Sequence, residues 1–555
     1  MNVKERIAEV VESALRQAAA DGVLGSADLP IPKIEYPREE KHGDYATPVA
    51  MESARILKKS PLEIGAVLKT YIERSELAGA VEVAKPGFIN IFLDHDFLFG
   101  LMEDILREGD GYGRQIKKRP RLINIEFVSA NPTGPLNIVS ARAAAVGDVV
   151  ANLLEACGDT VEREFYVNDY GNQVLLLGRS VLCRYRELEG MNVEFPEEGY
   201  HGEYIRDIAA YIRDNFAKEV NAAADEETLV DFMAQKAVEY NVRGQKRDLE
   251  RFNVRFKRWF LESGLHSDGS VDETLRTLEG LGVIYEEDGK TVFRSTDFGD
   301  DKDRVVVRDD GRPTYLLADI AYHRNKKERG YDLIIDIWGP DHHGYIARLA
   351  GAMKAMGCPD HAFRVLIAQQ VNLVVEGEMV KMSKRLGKFS TMSELLDEIG
   401  VDVARYFFTM RSTDSHLDFD LALAKRQSSE NPVFYLQYAH ARICSIFREA
   451  EKRGFAYDPR ARDFARLKNP EAIVLLKLLA RFPEEVADAA ASFEPHRIAS
   501  FLMRLAQSYH RFYTEHRVLA DDPIEANSNM ALCDCVRIVM KNGLALLGVS
   551  APEKM

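Results

Sequence analysis

Between Arg121 and Val128 the chain reads Leu122, Ile123, Ile125, Phe127 and Val128, a short apolar run suited to a strand buried on both faces. A turn rich in Pro and Gly follows (Asn131-Pro132-Thr133-Gly134-Pro135), then a long helical pattern through Ala143 to Ala156, with Gly158 placed to stop it. Strand, tight turn and helix open a doubly wound α/β domain, a fold in which ligands bind outside the carboxyl ends of the strands. Two consequences bear on chemistry. The turn leads into a helix N-terminus whose free amides form an anion site. Glu126 places a carboxylate inside an apolar strand, where it needs a cationic partner.

A chain of 555 residues exceeds one core, and the length suggests roughly three to five domains. Residues 1–110 read as an α+β unit: a helix from Val3 to Ala20, a Pro-rich extended stretch, the polar loop Lys41 to Tyr45, helices around Met51 and Ile64, and strands at 80–84 and 88–93 about a Lys85-Pro86-Gly87 turn. Residues 111–415 carry the α/β pattern, with further strands expected at Val161–Val167, Arg304–Val307, Leu333–Trp338 and Arg364–Ala368 and a polar helical insertion around 190–260. Residues 416–555 are almost wholly helical. The expected fold is a multidomain α/β protein: a Rossmann-like parallel-sheet domain, an N-terminal α+β domain and an all-α C-terminal domain.

No apolar run is long enough to span a bilayer, and the N-terminus lacks a signal-peptide apolar block. Six scattered cysteines without a CxxC pair indicate neither zinc nor a disulfide framework, so a reducing cytoplasm is expected. The net charge of -15 argues against indiscriminate coating of nucleic acid, but local basic surface remains available. One candidate is Arg114 to Arg121. Another is Lys246 to Arg258, where the charges alternate with Phe252, Phe256, Trp259 and Phe260 as on an amphipathic helix.

The stretch Lys381-Met382-Ser383-Lys384 follows a strand-like segment (Val371 to Val375) and a Glu376-Gly377 turn. Two ammonium groups on a mobile loop can close on a polyphosphate as charge builds there; a solvated basic turn is the plain alternative. The pattern resembles the Lys-Met-Ser-Lys-Ser loop of class I aminoacyl-tRNA synthetases. Longer blocks are similar to arginyl-tRNA synthetases: Glu126 to Leu136, Glu164 to Gln173, Phe298 to Arg304, Thr314 to His323, Trp338 to Tyr345, Ser415 to Asp420 and Asn431 to Arg442. They run in order through essentially the whole chain.

The resemblance implies ATP-dependent ligation of L-arginine to tRNA(Arg) through an arginyl-adenylate, with magnesium on the ATP phosphates and no other metal, by a cytoplasmic monomer that meets no membrane. It implies phosphate stabilisation by Lys381, Ser383, Lys384, Asn137 and Ser140, and an ATP site formed by Pro132, Thr133, Gly134, Asn137, Ser140, Asp341, His343 and Met382. Asp319 is implied to bind the guanidinium and Tyr315 to pack on the substrate side chain; the two are four residues apart, on one helix face. Glu126 and Asn131 are implied to hold the α-ammonium and carboxyl region. A guanidinium is planar and permanently charged, so its pocket needs carboxylates. The N-terminal unit is implied to meet the tRNA elbow and the C-terminal helices the anticodon; Tyr45, Tyr438, Arg442 and Arg504 are the expected tRNA contacts. Asp341-His342-His343-Gly344 lacks the spacing of a closed zinc site.

One departure stands out. Where this class carries His-x-Gly-His, the chain has Asn137-Ile138-Val139-Ser140. Asn and Ser still donate hydrogen bonds to phosphate, but neither carries an imidazolium charge. The alternative reading is therefore a tRNA-binding paralogue impaired in adenylation.

Overall fold

A computed structural model describes residues 2–25, 29–375, 378–380 and 391–555. The chain divides into two compact units, one of Lys117–Arg426 with Glu494–His496, the other of Met1–Ile116, Gln427–Phe493 and Arg497–Met555.

The first unit is built on a five-stranded parallel sheet. Across the sheet the strands run Phe363–Ile367, Leu333–Trp338, Leu122–Glu126, Thr160–Val167 and Arg258–Leu261. Chain order therefore reverses between Leu122–Glu126 and Leu333–Trp338. That is the switch point at which a doubly wound sheet opens a crevice. Helix Ile138–Ala156 packs on the sheet, and Gly147 lets it approach: a Cβ there would lie 2.3 Å from the Phe127 ring. Helices Glu203–Ala222 and Glu226–Arg251, within the stretch expected as an insertion, pack with helix Asn172–Leu188 around a core that includes Leu177, Ile208, Ile212, Met233 and Ala237.

Two parts of the sequence reading change. The helical pattern does not run on to Phe260. Helix Glu226–Arg251 stops where Asn253 adopts φ 61, with the Val254 and Asn253 amides donating to the carbonyls of Leu249 and Glu250, a Schellman stop. The aromatics beyond it form the edge strand Arg258–Leu261, where Trp259 stacks on Phe165 at 4.3 Å and Phe260 pairs with Tyr166. Strand Arg304–Val307 lies outside the parallel sheet. It joins Ile284–Glu287 and Lys290–Phe293, a hairpin turning at Asp288-Gly289, in a separate antiparallel sheet. Its burial alternates, with Val305 exposed and Val306 buried, as a sheet with one wet face requires.

In the second unit, strands Tyr45–Thr47, Phe88–Leu93 and Ala78–Ala84 form a small antiparallel sheet packed among helices. Helices Pro432–Lys452, Pro470–Ser492, His496–Glu515 and Pro523–Leu546 make up most of the C-terminal part. Buried Glu484 accepts hydrogen bonds from the hydroxyls of Tyr36 and Tyr45 and from the Lys4 amide, and Lys477 pairs with Asp44 at 2.8 Å. Tyr45, expected to face tRNA, is thus 0% exposed, with its hydroxyl committed to Glu484, and its side chain offers nothing to a nucleic acid.

Candidate active site

The switch point opens a cavity of ≈ 200 Å³ lined by Glu126, Ser129, Tyr166, Asp319, Trp338 and Tyr345, among others. Glu126 and Trp338 are the last residues of the two strands that flank it. Just beyond Glu126 the backbone turns through Val128 at φ 69 and Ser129 at φ 38. The left-handed region is unfavourable for a β-branched residue, and such strain gathers where surrounding structure enforces a functional geometry. The turn brings Ser129 Oγ within 2.8 Å of Glu126, to which it donates, while it accepts from the Tyr166 amide at 3.1 Å.

Beneath the cavity, Lys326 donates to Glu126 at 2.5 Å and to Asp336 at 2.7 Å, and His323 bonds Asp336 at 2.6 Å. Burial alone would lower the Lys326 pKa; Asp336 and Glu126 raise it above the usual lysine range. Burial alone would raise the Asp336 carboxyl; Lys326 and His323 hold it low. Glu126, His323 and Asp336 have the spacing of a metal cluster, but the Lys326 ammonium already bonds both of its carboxylates and supplies their cation.

Two other carboxylates lack such a partner. Asp319, half-buried, accepts from the Tyr345 hydroxyl at 2.6 Å. Burial pushes its pKa up to about 6; Tyr345 and His323 oppose the rise, and Glu262 and Glu126 add to it. Buried Glu262 is pushed up to about 7, mainly by burial, with Asp169 adding and the Tyr166 hydroxyl opposing. Among the described residues neither pairs with a Lys or Arg; beside Glu262 stand His266, at 3.6 Å, and the Tyr166 hydroxyl. Asp319 lines the switch-point cavity and Glu262 a larger one, and Glu262 lies close enough to raise the Asp319 carboxyl. Sequence reasoning missed Glu262, although it directly follows the strand Arg258–Leu261, at the carboxyl end where such sites lie. Reading that stretch as helix hid the signal.

Tyr315 opens helix Tyr315–Glu328 and is 67% exposed. With Glu262, His266, Lys246 and Arg312 it lines a second cavity of ≈ 1120 Å³, beside the insertion helices. Asn131 is exposed and donates to Gln173 at 2.9 Å, outside the smaller cavity's lining. Asn137 caps helix Ile138–Ala156, its Oδ1 accepting from the Ser140 amide at 2.9 Å and from the Ser140 hydroxyl at 3.1 Å. The structure therefore joins Asn137 and Ser140, and leaves the Asn137 amide hydrogens without a partner among the described residues. Pro132 is buried, and Thr133 and Gly134 are half-buried. Asp341 and His343 are exposed in the turn Pro340–Tyr345, where His342 rather than His343 lines the smaller cavity. Lys381, Met382, Ser383 and Lys384 lie outside the described residues. Past that segment, the Met392 amide donates to the Leu136 carbonyl at 2.8 Å.

In the other unit, Tyr438 is 41% exposed, and the Arg442 guanidinium lies 3.9 Å from the Tyr513 ring centroid and 5.6 Å from that of Tyr438. These residues line a cavity of ≈ 1080 Å³ with Arg448, Arg453 and Arg517. Arg504 is exposed and paired with Glu485 at 2.9 Å.

The parallel sheet, its acidic cavity at the switch point, and a match over residues 102–420 to the family described as tRNA synthetases class I (R), catalytic domain, define a class I aminoacyl-tRNA synthetase. Residues 3–93 match the arginyl tRNA synthetase N terminal domain and residues 436–555 the DALR anticodon binding domain. The chain belongs to the arginyl-tRNA synthetase family. It is 46% identical to the arginine–tRNA ligase of Geobacillus kaustophilus, over 100% of both chains. A solved structure described as an arginyl-tRNA synthetase from Campylobacter jejuni is 36% identical, with TM-score 0.76 over 83% of this chain and 100% of that one. The Thermus thermophilus arginyl-tRNA synthetase, at 21% identity, shares the fold over 100% of both chains, with TM-score 0.78. No helix among the described residues is long and apolar enough to cross a membrane.

Proposed function

We propose that this chain ligates L-arginine to tRNA(Arg), consuming ATP and releasing AMP and pyrophosphate. The observation that carries the reading is the pair Asp319, lining the switch-point cavity, and Glu262, lining the larger one, carboxylates raised by burial, without a Lys or Arg partner among the described residues, and close enough for Glu262 to raise the Asp319 carboxyl. A guanidinium restores a counter-charge to both and presents donors in a plane. The full-length identity to arginine–tRNA ligases leaves the paralogue alternative without support.

Glu126, with Ser129 beside it, holds the α-ammonium, and Asn131, whose amide group donates to Gln173, keeps its Oδ1 to accept from the same group. Tyr315 packs on the substrate from the exposed start of its helix. The arginine carboxylate attacks the α-phosphorus, and pyrophosphate leaves. Pro132, Thr133, Gly134 and the N-terminus of helix Ile138–Ala156 receive the phosphates, with Asn137 and Ser140 at its cap. Asp341, His343 and Met382 flank the nucleotide, Lys381 and Lys384 neutralise the growing charge, and the Ser383 hydroxyl donates a hydrogen bond beside them. The ATP polyphosphate would carry magnesium, which would lower its charge. The one acidic cluster with metal spacing among the described residues is satisfied by Lys326, which fits an ion carried by the nucleotide.

The aminoacyl group then passes to the terminal ribose of tRNA. Tyr438 and Arg442, together with exposed Arg504 on helix His496–Glu515, supply ring faces and charge for unpaired bases and phosphates. Domain limits of 1–110, 111–415 and 416–555, a monomer and a cytoplasmic site of action complete the reading.

The test is charging of tRNA with each labelled amino acid, tRNA present throughout. Arginine alone should be incorporated. Tight tRNA binding without arginylation would overturn the proposal.

A further inference from the structure

The turn at residues 131–134 presents consecutive backbone carbonyls, and side chains of the helical insertion take every one. Gln245 Nε2 donates to the carbonyls of Asn131 at 3.2 Å and Gly134 at 3.0 Å. Asn241 Nδ2 donates to Pro132 O at 2.8 Å, and the Tyr204 hydroxyl to Thr133 O at 2.9 Å. Asn241 and Gln245 are buried and one turn apart on helix Glu226–Arg251, so a single helix face supplies both. The hydroxyl end of the Tyr204 ring lies close to Gly134, where a Cβ would come within 3.2 Å of it.

Peptide geometry converts these bonds into a direction. In a trans peptide the C=O of one residue and the N–H of the next point opposite ways in one plane. With Pro132 O turned to Asn241 and Thr133 O turned to Tyr204, the N–H groups of Thr133 and Gly134 face away from the insertion. The Thr133 N–H makes no hydrogen bond to a described residue, and the Gly134 N–H is engaged only by the loose turn back to the Asn131 carbonyl. Pro132 and Pro135 have no N–H, so these two are the central donors of the turn.

We propose that the helical insertion is a positioning element of the adenylation site: Tyr204 and Asn241 orient two peptide planes so that the Thr133 and Gly134 amides meet the phosphates of ATP. The inference rests on the reading of this turn as the ATP site. It gives the insertion a part in the first chemical step. It also supplies fixed backbone donors next to a signature that lacks histidine.

The test uses the full chain with Asn241→Leu, Tyr204→Phe and, as a probe of the ATP site itself, Asn137→Ala. Arginylation is assayed with tRNA present, varying ATP and arginine in turn, and thermal unfolding is recorded. We expect kcat/KM for ATP to fall about tenfold in Asn241→Leu, in keeping with the loss of one hydrogen bond, and to fall less in Tyr204→Phe, while KM for arginine stays unchanged. Tyr204→Phe removes only a hydroxyl and keeps the ring, so it serves should Asn241→Leu not fold. Unchanged ATP parameters in the insertion variants, with a raised ATP KM in Asn137→Ala, would overturn the inference and leave the ATP site standing. ATP parameters unchanged in all three would overturn both. Equal losses for ATP and arginine would mark a merely structural role and also overturn it.

Discussion

Lys326 Nζ sits 2.5 Å from Glu126 Oε2, on the buried side of a carboxylate whose residue also lines the switch-point cavity. One partner of this pair is sealed in the core and the other borders the site, so the substrate-facing charge is anchored from below. The second bond, to Asp336, ties the same ammonium to the neighbouring strand.

Lys326→Met should therefore act on both stability and substrate. It strands Glu126 and Asp336, and breaking a buried ion pair costs about 3–5 kcal/mol. A large drop in Tm, with a raised arginine KM in whatever folds, is the expected result. Wild-type unfolding in this variant would mean that the buried network contributes little.

The guanidinium pocket can be probed by isosteres. Asp319→Asn and Glu262→Gln keep the shape and remove the charge. Hydrogen bonds to charged groups are worth about 1.5–3 kcal/mol, so each should lower kcat/KM for arginine about 10- to 150-fold while sparing tRNA affinity. Near-normal arginylation by Glu262→Gln would remove that residue from the pocket.

Arginine affinity should depend on pH. The carboxyls of Asp319 and Glu262 are raised to about 6 and about 7 in the free protein, and a guanidinium binds their ionised forms. Affinity should rise from pH 5.5 to pH 8, with protons released on binding, detectable by calorimetry in buffers of different ionisation enthalpy. The sign for folding is opposite. In this window the native state holds more protons at these groups than the unfolded chain does, so their contribution to stability falls as pH rises from about 4 to about 7. A flat arginine affinity across that range would contradict the assignment.

The basic groove of the other unit gives a salt signature. Arg442→Ala removes one guanidinium beside Tyr438 and Tyr513. Affinity for tRNA should weaken, and the slope of log K against log salt should become shallower by about one. Tyr45→Phe, at a buried tyrosine, should leave tRNA affinity unaltered.

Sequence alone was most informative where a residue's chemistry is local. The apolar run ending in Glu126 dictated a buried strand, and the proline-glycine turn dictated the helix start that Asn137 caps. It was least informative where meaning depends on a partner far along the chain. Arg258–Leu261 looked helical because its aromatics were spaced to suit a helix; only their stacking on Phe165 and Tyr166 makes them a strand. Glu262 was lost with that misreading. Tyr45 looked available because its neighbours are polar, whereas the residue that buries its hydroxyl, Glu484, is remote in sequence. The bonds from Asn241 and Gln245 to the 131–134 turn leave no local trace at all.

The left-handed backbone at Val128 has an implication for anyone engineering a hardier version of this protein. Glycine there would relax a conformation that costs of order 1–3 kcal/mol, so a screen for heat tolerance alone would tend to select it. The same replacement would let the kink drift and loosen the register between Ser129 and Glu126. Selection for ruggedness and selection for turnover would then pull this one position in opposite directions.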